Sequence, residues 1–396
     1  MRFLFLYSIL LLSCSICCAQ QVHFEASLRA AFDKAKKDNK LVFIEYYNAE
    51  CPVCRKLEPV FSDPAMADFY NANFYSYKLN TENIKKEDSL FIAKAGFKFD
   101  AVPYFLFFDA GQQFVHYSGT KQDVSYLIAA GTTAMDPKER AANLVNKYNG
   151  GDRSIKTLYA YSNLLDLYKK DSLRAIIADE LFNAYPTADL GTEKSYIITK
   201  NCVNSIDNGF FKYWIAHIDA MKAYENNSKT THPVNVLGNI VLHAIIKDKQ
   251  NWDLTRIASV KQMLLNTGMS KDPGEFLWEQ EATLLANNNR QAELIQLFEE
   301  RMAHDSDINA AAYTIDQFIK LISDKSSLEK IKAAITRLSS PKNSPADNAA
   351  LMYSTVLLYQ KEDDKKNARK TGNEALNFYK ANKINSNELQ LLLHDL

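Results

Sequence analysis

Net charge is the first property that this sequence of 396 residues lacks. Lysine plus arginine number 47, and aspartate plus glutamate number 47 as well. The basic excess typical of nucleic-acid binders is therefore missing, and we expect no nucleic-acid partner. Glycine is also scarce, with 12 residues, while long stretches have helical periodicity. Most of the chain is therefore predicted to be helical.

Long apolar runs are missing beyond the N-terminus, where no segment has the ~18 consecutive apolar residues that a membrane helix needs. The N-terminus itself reads MRFLFLYSILLLSCSICCAQQ, with one arginine, an apolar run from Phe3 to Leu12 and small residues up to Ala19. This run is too short to span a bilayer. The pattern predicts a secretory signal peptide over residues 1–19 and a mature chain that begins at Gln20.

Lipid attachment is the alternative fate of this N-terminus. Leu11-Leu12-Ser13-Cys14 resembles a bacterial lipobox, in which Cys14 would become the lipidated first residue. The protein would then contact the membrane only through lipid at Cys14. Both routes lead to export, so we predict a location in the periplasm or cell envelope.

Cysteine is scarce once the signal peptide is removed, because only Cys51, Cys54 and Cys202 of the six remain. The first two lie in EYYNAECPVCRKLEP, residues 45–59, and can form a structural disulfide, half of a zinc site or a redox pair. A disulfide between such close residues closes a very small loop and stabilises little. Zinc needs about four ligands, and the seven histidines show no HxxH or HxxxH spacing. The pair therefore favours redox exchange in an exported protein.

Helices and strands alternate between residues 22 and 131, in the order helix, strand, helix, strand, helix, strand, strand, helix. Strands with helices on both faces predict a three-layer α/β sandwich. The predicted segments are a helix at 22–40, a strand at 41–47, a helix at 52–73 interrupted at Pro59, a strand at 74–80, a helix at 83–97, strands at 102–109 and 112–118, and a helix at 122–131.

Four features at matching spacings resemble the thioredoxin family. The cysteine pair follows a buried strand and opens a helix, and Glu45 lies six positions before the first cysteine, where the family has a buried carboxylate. Pro59 lies five positions after the second cysteine, where the family's helix is kinked. Val102-Pro103 is similar to the family's cis-proline segment. The resemblance is strongest to the family's periplasmic branch and implies a thioredoxin-like domain over residues 20–135.

The resemblance implies a catalytic site made of Cys51, Cys54, Glu45 and Pro103. At the N-cap of its helix, Cys51 would be the attacking thiolate, since helix N–H groups and the helix dipole favour negative charge. The interior Cys54 would resolve the mixed disulfide, with Glu45 as its general base. A cis peptide at Pro103 would turn the preceding backbone toward the first cysteine and offer an edge to an extended substrate segment.

The expected substrate-binding residues are Pro52, Val53, Val102 and Tyr47. Pro52 occupies the first helical position, where its missing N–H costs little. The resemblance implies protein disulfides or dithiols as substrates and a membrane electron donor as a further partner. We expect no cofactor beyond the redox-active Cys51–Cys54 disulfide, and no metal.

The sequence departs from the family around the cysteines. Glu50 replaces an aromatic residue before the first cysteine, Pro52-Val53 replaces Gly-Pro, and the domain has no tryptophan. Val53 stands where a histidine would make a strongly oxidising pair, and Glu50 opposes ionisation, while Arg55 and Lys56 partly offset it. We therefore expect a moderately lowered Cys51 pKa and a reducing-to-intermediate thiol:disulfide oxidoreductase.

The remaining two thirds of the chain predict an all-α domain over residues 136–396. A capping box at 136–139 predicts a helix that starts there. Helical periodicity continues in hairpin-sized units, and in residues 350–382 Tyr359, Ala368 and Ala375 fall at tetratricopeptide-like spacings. The interpretation is a degenerate helical repeat that recruits a partner or dimerises. Cys202 is predicted to be a buried helix cysteine.

Two alternative functions stay open at this point. The first keeps the chemistry but makes the protein a disulfide-forming or isomerising enzyme, which Pro52 favours slightly and Glu50 and Val53 oppose. The second is a binding or scaffold protein, in which the helical repeat contacts the partner and the redox pair is vestigial or regulatory.

Overall fold

The computed structural model describes residues 21–119, 121–225, 234–304 and 307–394. The predicted signal peptide at 1–19, with Cys14, lies outside the described residues. Within the described ranges, no helix is both long enough and apolar enough to cross a membrane.

The chain divides into two compact units. The first comprises Met1–Asn204 with Asn208–Phe210, and the second comprises Ser205–Asp207 with Phe211–Leu396. The first unit therefore contains the predicted α/β region together with the helices that follow it. The domain boundary after residue 135 stays a prediction.

The first unit contains a four-stranded sheet in the order β2-β1-β3-β4. Its strands are β1 Leu41–Tyr47, β2 Phe74–Asn80, β3 Tyr104–Phe108 and β4 Phe114–Ser118. β1 pairs in parallel with β2 and antiparallel with β3, which in turn pairs antiparallel with β4. β1 is therefore interior to the sheet, and its residues 42–45 are buried, as its unbroken apolar run predicts.

Helices cover both faces of this sheet. They are α1 Leu28–Asp38, α2 Pro52–Arg55, α3 Glu58–Phe61, α4 Pro64–Asn73, α5 Lys86–Ala95 and α6 Val124–Met135. On one face Phe32 of α1 and Phe91 of α5 pack against Phe108, with ring centroids 6.4 and 4.8 Å from it. On the other face Phe43 packs against Tyr70 of α4, with centroids 4.9 Å apart. The predicted three-layer α/β sandwich is confirmed.

The first predicted helix was too long at its start. Residues 22–27 are not helical, because the Glu25 N–H donates to the Ser76 carbonyl at 2.8 Å and Phe24 forms a parallel bridge with Ser76. Ser27 then caps α1 by accepting a hydrogen bond from the Ala30 N–H. Pairing with β2 replaces the helix here, which a helical period alone cannot show.

The predicted helix at 52–73 is interrupted twice rather than once. Pro59 has no N–H to donate to the Arg55 carbonyl, so α2 ends at Arg55 and Pro59 falls in the first turn of α3. The second break follows from Asp63, whose carboxylate accepts from the N–H groups of Ala65 and Met66 and caps α4. The predicted kink at Pro59 is confirmed, and the break at Asp63 was missed.

The helix predicted to start at residues 136–139 was wrong. Residues 137–139 form a turn, a 3₁₀ helix follows at Ala141–Asn143, and the next α-helix begins at Leu144. The Glu139 carboxylate does not return to the helix start, because Lys147 and Lys156 bind it at 3.0 and 2.5 Å. Without that contact the capping box is not completed.

The rest of the described chain is helical, as predicted. In the first unit the helices are α7 Leu144–Asn149, α8 Ile155–Leu167, α9 Asp171–Ala184 and α10 Glu193–Cys202, and α11 Gly209–Ala216 follows them. In the second unit they are α12 Ile218–Lys222, α13 Asn235–Asp248, α14 Leu254–Thr267, α15 Trp278–Asn287, α16 Gln291–His304, α17 Ile308–Leu321, α18 Lys325–Leu338, α19 Pro345–Lys361, α20 Lys365–Ala381 and α21 Asn387–His394.

The second unit buries its apolar side chains in two clusters. One joins α15 to α18 around residues such as Phe298 and Phe318, and the other joins α19, α20 and α21 around Val356 and Ala375. Ala368 and Ala375 are fully buried, as their tetratricopeptide-like spacing predicts for small residues at a helix contact.

Candidate active site

The two cysteines lie where β1 gives way to α2. Cys51 is the N-cap residue of α2, with extended backbone (φ −68°, ψ 119°), and Pro52 is the first helical residue. Of the cysteines that the structure describes, Cys51, Cys54 and Cys202 are all free thiols. The site is therefore seen as a dithiol, at the predicted helix start.

Cys51 is half-buried, and its pKa is lowered from the ordinary value. The largest cause is the N–H of Cys54, and the Cys54 thiol, the N–H of Val53 and the charge of Arg55 act in the same direction. Partial burial of the sulfur opposes them. The start of α2 therefore favours the thiolate at Cys51.

Cys54 differs from Cys51 in burial and in protonation. Its exposed fraction is 2%, and burial raises the pKa of its thiol to about 11. The charges of Cys51 and Glu45 contribute to this rise, while the Asn48 N–H opposes it. At neutral pH the pair therefore contains one thiol disposed to ionise and one that keeps its proton.

Glu45 is fully buried in the middle of β1. The Lys78 Nζ lies 3.5 Å from one of its carboxylate oxygens, and neither oxygen has a hydrogen-bond partner among the described residues. Burial raises its pKa from 4.5 to about 7, although the charge of Lys78 lowers it. Glu45 can therefore hold or release a proton near neutral pH.

Lys78 and Glu58 complete this charge group, and sequence reasoning missed both. The parallel register pairs Lys78 of β2 with Glu45 of β1. The Lys78 ammonium also binds Glu58 at 2.5 Å and lies 4.8 and 5.1 Å from the ring centres of Phe24 and Phe61. The sequence feature that could have revealed Lys78 is its place as a charged residue within the apolar strand FYSYKLN.

The Val102–Pro103 peptide bond is cis, as predicted. The Cys51 thiol donates to the Val102 carbonyl, with 3.8 Å between sulfur and oxygen. Pro103 is buried and Val102 is half-buried. The structure thus places the predicted proline segment directly beside the first cysteine.

The other predicted residues surround this point. Pro52 and Val53 are exposed, with Val53 at 48%, and the half-buried Tyr47 ring lies 5.7 Å from the Lys78 ammonium. Their roles in substrate binding stay predictions. Sequence reasoning missed a row of three aromatic rings. In this row Phe99 lies between Tyr46 and Tyr104, with centroid distances of 4.2 and 5.0 Å.

Glu50 and Arg55 interact as the charge argument expects. The Arg55 guanidinium lies 3.8 Å from the Glu50 carboxylate and donates to the Glu50 carbonyl at 2.8 Å. The charge that opposes ionisation of Cys51 therefore has a nearby counter-charge. Exposure of both side chains keeps this pair weak.

Two further sequence expectations concern the rest of the first unit and metals. Cys202 is fully buried in α10, with its thiol 3.9 Å from the Tyr159 carbonyl, so the buried helix cysteine is confirmed. Within the ranges that the structure describes, no group of three or more histidine, cysteine or acidic side chains is arranged to hold a metal ion.

Comparison with known proteins agrees with this geometry, since the thioredoxin family model matches residues 23–130. This segment is a thioredoxin domain. Thioredoxin H4 of Arabidopsis thaliana is 35% identical over 80 residues, which are 20% of this chain and 60% of that protein. The solution structure of a candidate disulphide-isomerase from Bacteroides thetaiotaomicron is 26% identical, with a TM-score of 0.26, and covers 30% of this chain and 96% of that one.

The buried Glu45 of the thioredoxin domain makes stability depend on pH. The folded state keeps the Glu45 proton up to about pH 7, whereas an unhindered glutamate loses it near 4.5. Stability from this group is therefore complete below pH 4.5 and is lost as the pH rises through 7. The rise from 4.5 to about 7 corresponds to about 3 kcal/mol at about 1.36 kcal/mol per unit.

The Glu45→Gln variant should remove this dependence because its amide does not ionise. We expect the free energy of unfolding of the variant, relative to the unmodified protein, to rise by up to about 3 kcal/mol between pH 5 and pH 8. Urea denaturation at a series of pH values measures it. Glu58→Gln, which changes the exposed partner of the same lysine, should keep most of the slope. Parallel curves for Glu45→Gln and the unmodified protein would contradict the assignment.

Proposed function

We propose that the protein is a thiol:disulfide oxidoreductase that acts on protein disulfides through Cys51 and Cys54. The observation that carries this proposal is the unequal pair in the thioredoxin domain. The accessible Cys51 has a lowered pKa, while the buried Cys54 has a pKa of about 11. A nucleophile and a resolving thiol need these opposite properties.

The reaction transfers two electrons from the dithiol to the substrate. The Cys51 thiolate attacks one sulfur of the substrate disulfide, a mixed disulfide forms, and the other substrate sulfur leaves as a thiolate that takes up a proton. Cys54 then loses its proton and attacks the Cys51 sulfur. The second substrate thiolate leaves, and the protein is left with a Cys51–Cys54 disulfide.

Glu45 is the proposed acceptor of the Cys54 proton. Its charge acts on the Cys54 thiol, and its own pKa of about 7 leaves a substantial fraction ionised at neutral pH. A carboxylate without hydrogen-bond partners in the described residues is a stronger base than a solvated one. Lys78, 3.5 Å away, limits the cost of holding this charge in the interior.

Single-cysteine variants test this mechanism in insulin reduction with dithiothreitol as the electron source. Cys51→Ser should abolish the activity, because the nucleophile is lost. Cys54→Ser, reduced and then freed of dithiothreitol before insulin is added, should accumulate a mixed disulfide between Cys51 and insulin, which a non-reducing gel separates. Cys202→Ala is the matched control and should keep the unmodified rate, since Cys202 is buried in α10. Activity that survives in Cys51→Ser would rule out the proposal.

The proposed direction of exchange is reduction of substrate disulfides rather than disulfide formation or isomerisation. The Cys51 pKa is lowered, but Val53 supplies no charge and Glu50 lies next to the thiol. We expect a reduction potential at or below about −230 mV, measured by equilibration with glutathione in a chain that starts at Gln20. A value above about −150 mV would instead indicate an enzyme that donates disulfides.

Export to the periplasm or cell envelope completes the proposal and rests on residues 1–19 alone, whereas the proposed membrane electron donor rests on the family resemblance. We expect the mature protein to begin at Gln20, as measured by intact mass after cell fractionation, and expect Cys14→Ala to leave that mass unchanged. A lipid-modified Cys14 in the membrane fraction would support the lipoprotein route instead. Unprocessed protein in the cytosol would contradict both.

A further inference from the structure

The segment that carries Val102 to the active site is held from outside the thioredoxin fold. Residues 97–103, which we call the approach segment, connect α5 to β3 and end at the cis Val102–Pro103 bond. Its Val102 carbonyl accepts the hydrogen bond from the Cys51 thiol. The position of this segment therefore sets what an incoming chain meets beside the nucleophile.

Residues 166–170, which are the last two residues of α8 and the three residues before α9, contact the approach segment; we call them the hairpin turn. The Lys98 N–H donates to the Leu167 carbonyl at 3.0 Å. The Tyr168 ring packs against Phe97, with centroids 5.1 Å apart, and Lys169 forms an ion pair with Asp100. A backbone hydrogen bond, a ring contact and an ion pair thus join the hairpin turn to three residues of the approach segment, Lys98, Phe97 and Asp100.

The hairpin turn is itself well fixed. Lys169 has a left-handed backbone (φ 50°), and its N–H donates to the Asp166 carbonyl at 3.0 Å. Arg174 of α9 binds the Asp166 carboxylate at 2.9 Å and the Asn201 carbonyl of α10 at 2.7 Å. The turn is therefore fastened to the helices behind it, within the same compact unit as the sheet.

On its other side the approach segment rests on the sheet. The Phe99 ring packs between Tyr46 of β1 and Tyr104 of β3, tilted to both. The approach segment thus packs between the hairpin turn on one side and the sheet on the other. Loss of the contacts on either side would leave Val102 without a fixed position, because the approach segment has no regular secondary structure of its own.

We infer that the hairpin turn is a positioning element of the active site, in which Tyr168 and Lys169 hold the approach segment so that Val102 faces Cys51. The inference rests on the proposed function and assigns part of that function to the helices after the thioredoxin domain. Tyr168 and Lys169 act through Val102 and do not touch the reacting sulfurs. Their loss should weaken the capture of protein substrates and leave the thiol itself unchanged, since the α2 amides set its ionisation.

Full-length variants separate these two effects. Tyr168→Ala removes the ring contact, and Tyr168→Phe keeps it as the matched control. Lys169→Gly removes the ion pairs with Asp100 and Asp166 while keeping a residue that tolerates the left-handed backbone. Lys156→Ala on α8, which breaks an exposed ion pair with Glu139, controls for loss of a surface charge pair.

Insulin reduction and alkylation by iodoacetamide are the two readouts. We expect kcat/KM for insulin to fall about tenfold in Tyr168→Ala, mainly through KM, because misplaced contacts cost most in binding and orientation. In Lys169→Gly we expect a fall of about threefold, as for an exposed ion pair. Tyr168→Phe and Lys156→Ala should stay within about twofold of the unmodified protein. The pH profile of Cys51 alkylation should be the same in all of them.

Amide hydrogen exchange provides a readout that is independent of activity. The Lys98 N–H should exchange faster in Tyr168→Ala and Lys169→Gly than in their controls. Unchanged insulin kinetics in both variants would overturn the inference, and so would a shifted alkylation profile, which would mean that the turn acts on the thiol instead. An inactive unmodified protein would refute the proposed function and this inference together. If Tyr168→Ala does not fold, Lys169→Gly decides the question alone.

Discussion

A carboxylate buried in the central strand is the constraint on which the site depends. Glu45 occupies a β1 position whose neighbours Val42, Phe43 and Ile44 are all buried, so it cannot reach water. The parallel register with β2 brings Lys78 beside Glu45, and the Glu58 carboxylate forms an ion pair with the same Lys78 ammonium. The break between α2 and α3 matters for this reason, because it lets the chain after the cysteines bring Glu58 toward β2. An acid that titrates near neutrality thus acts through its charge on the Cys54 thiol.

Local spacing made much of this site predictable. The CxxC pair, Glu45, Pro59 and the cis proline are each recognised from a few neighbouring residues, and all lie where the spacing predicts them. Lys78 and Glu58 were not predictable in this way, because their roles arise from strand register and from the direction in which a broken helix resumes. Contacts between residues distant in sequence cannot be recognised from a short sequence pattern.

The two incorrect helix boundaries have the same origin. Residues 22–27 have helical periodicity, but a partner strand offers their backbone groups better hydrogen bonds. The capping box at 136–139 has the right residue types, but its glutamate forms ion pairs with Lys147 and Lys156, which lie later in the chain. In both places a contact made only after folding outweighs the local preference. The all-helical nature of the remainder was predictable, because periodicity repeated over many segments is a stronger signal than any single helix end.

The compact unit that holds the thioredoxin domain extends well beyond residue 130, where the family match ends. Ala141 donates its N–H to His116 of β4 at 3.0 Å, and burial lowers the pKa of that histidine to about 4. The amide of Lys98 finds its acceptor only at Leu167. Since a ribosome makes the chain from its N-terminus, Lys98 and His116 are added before Leu167 and Ala141. Until those later residues are in place, the Lys98 amide and the His116 ring must form their hydrogen bonds with water.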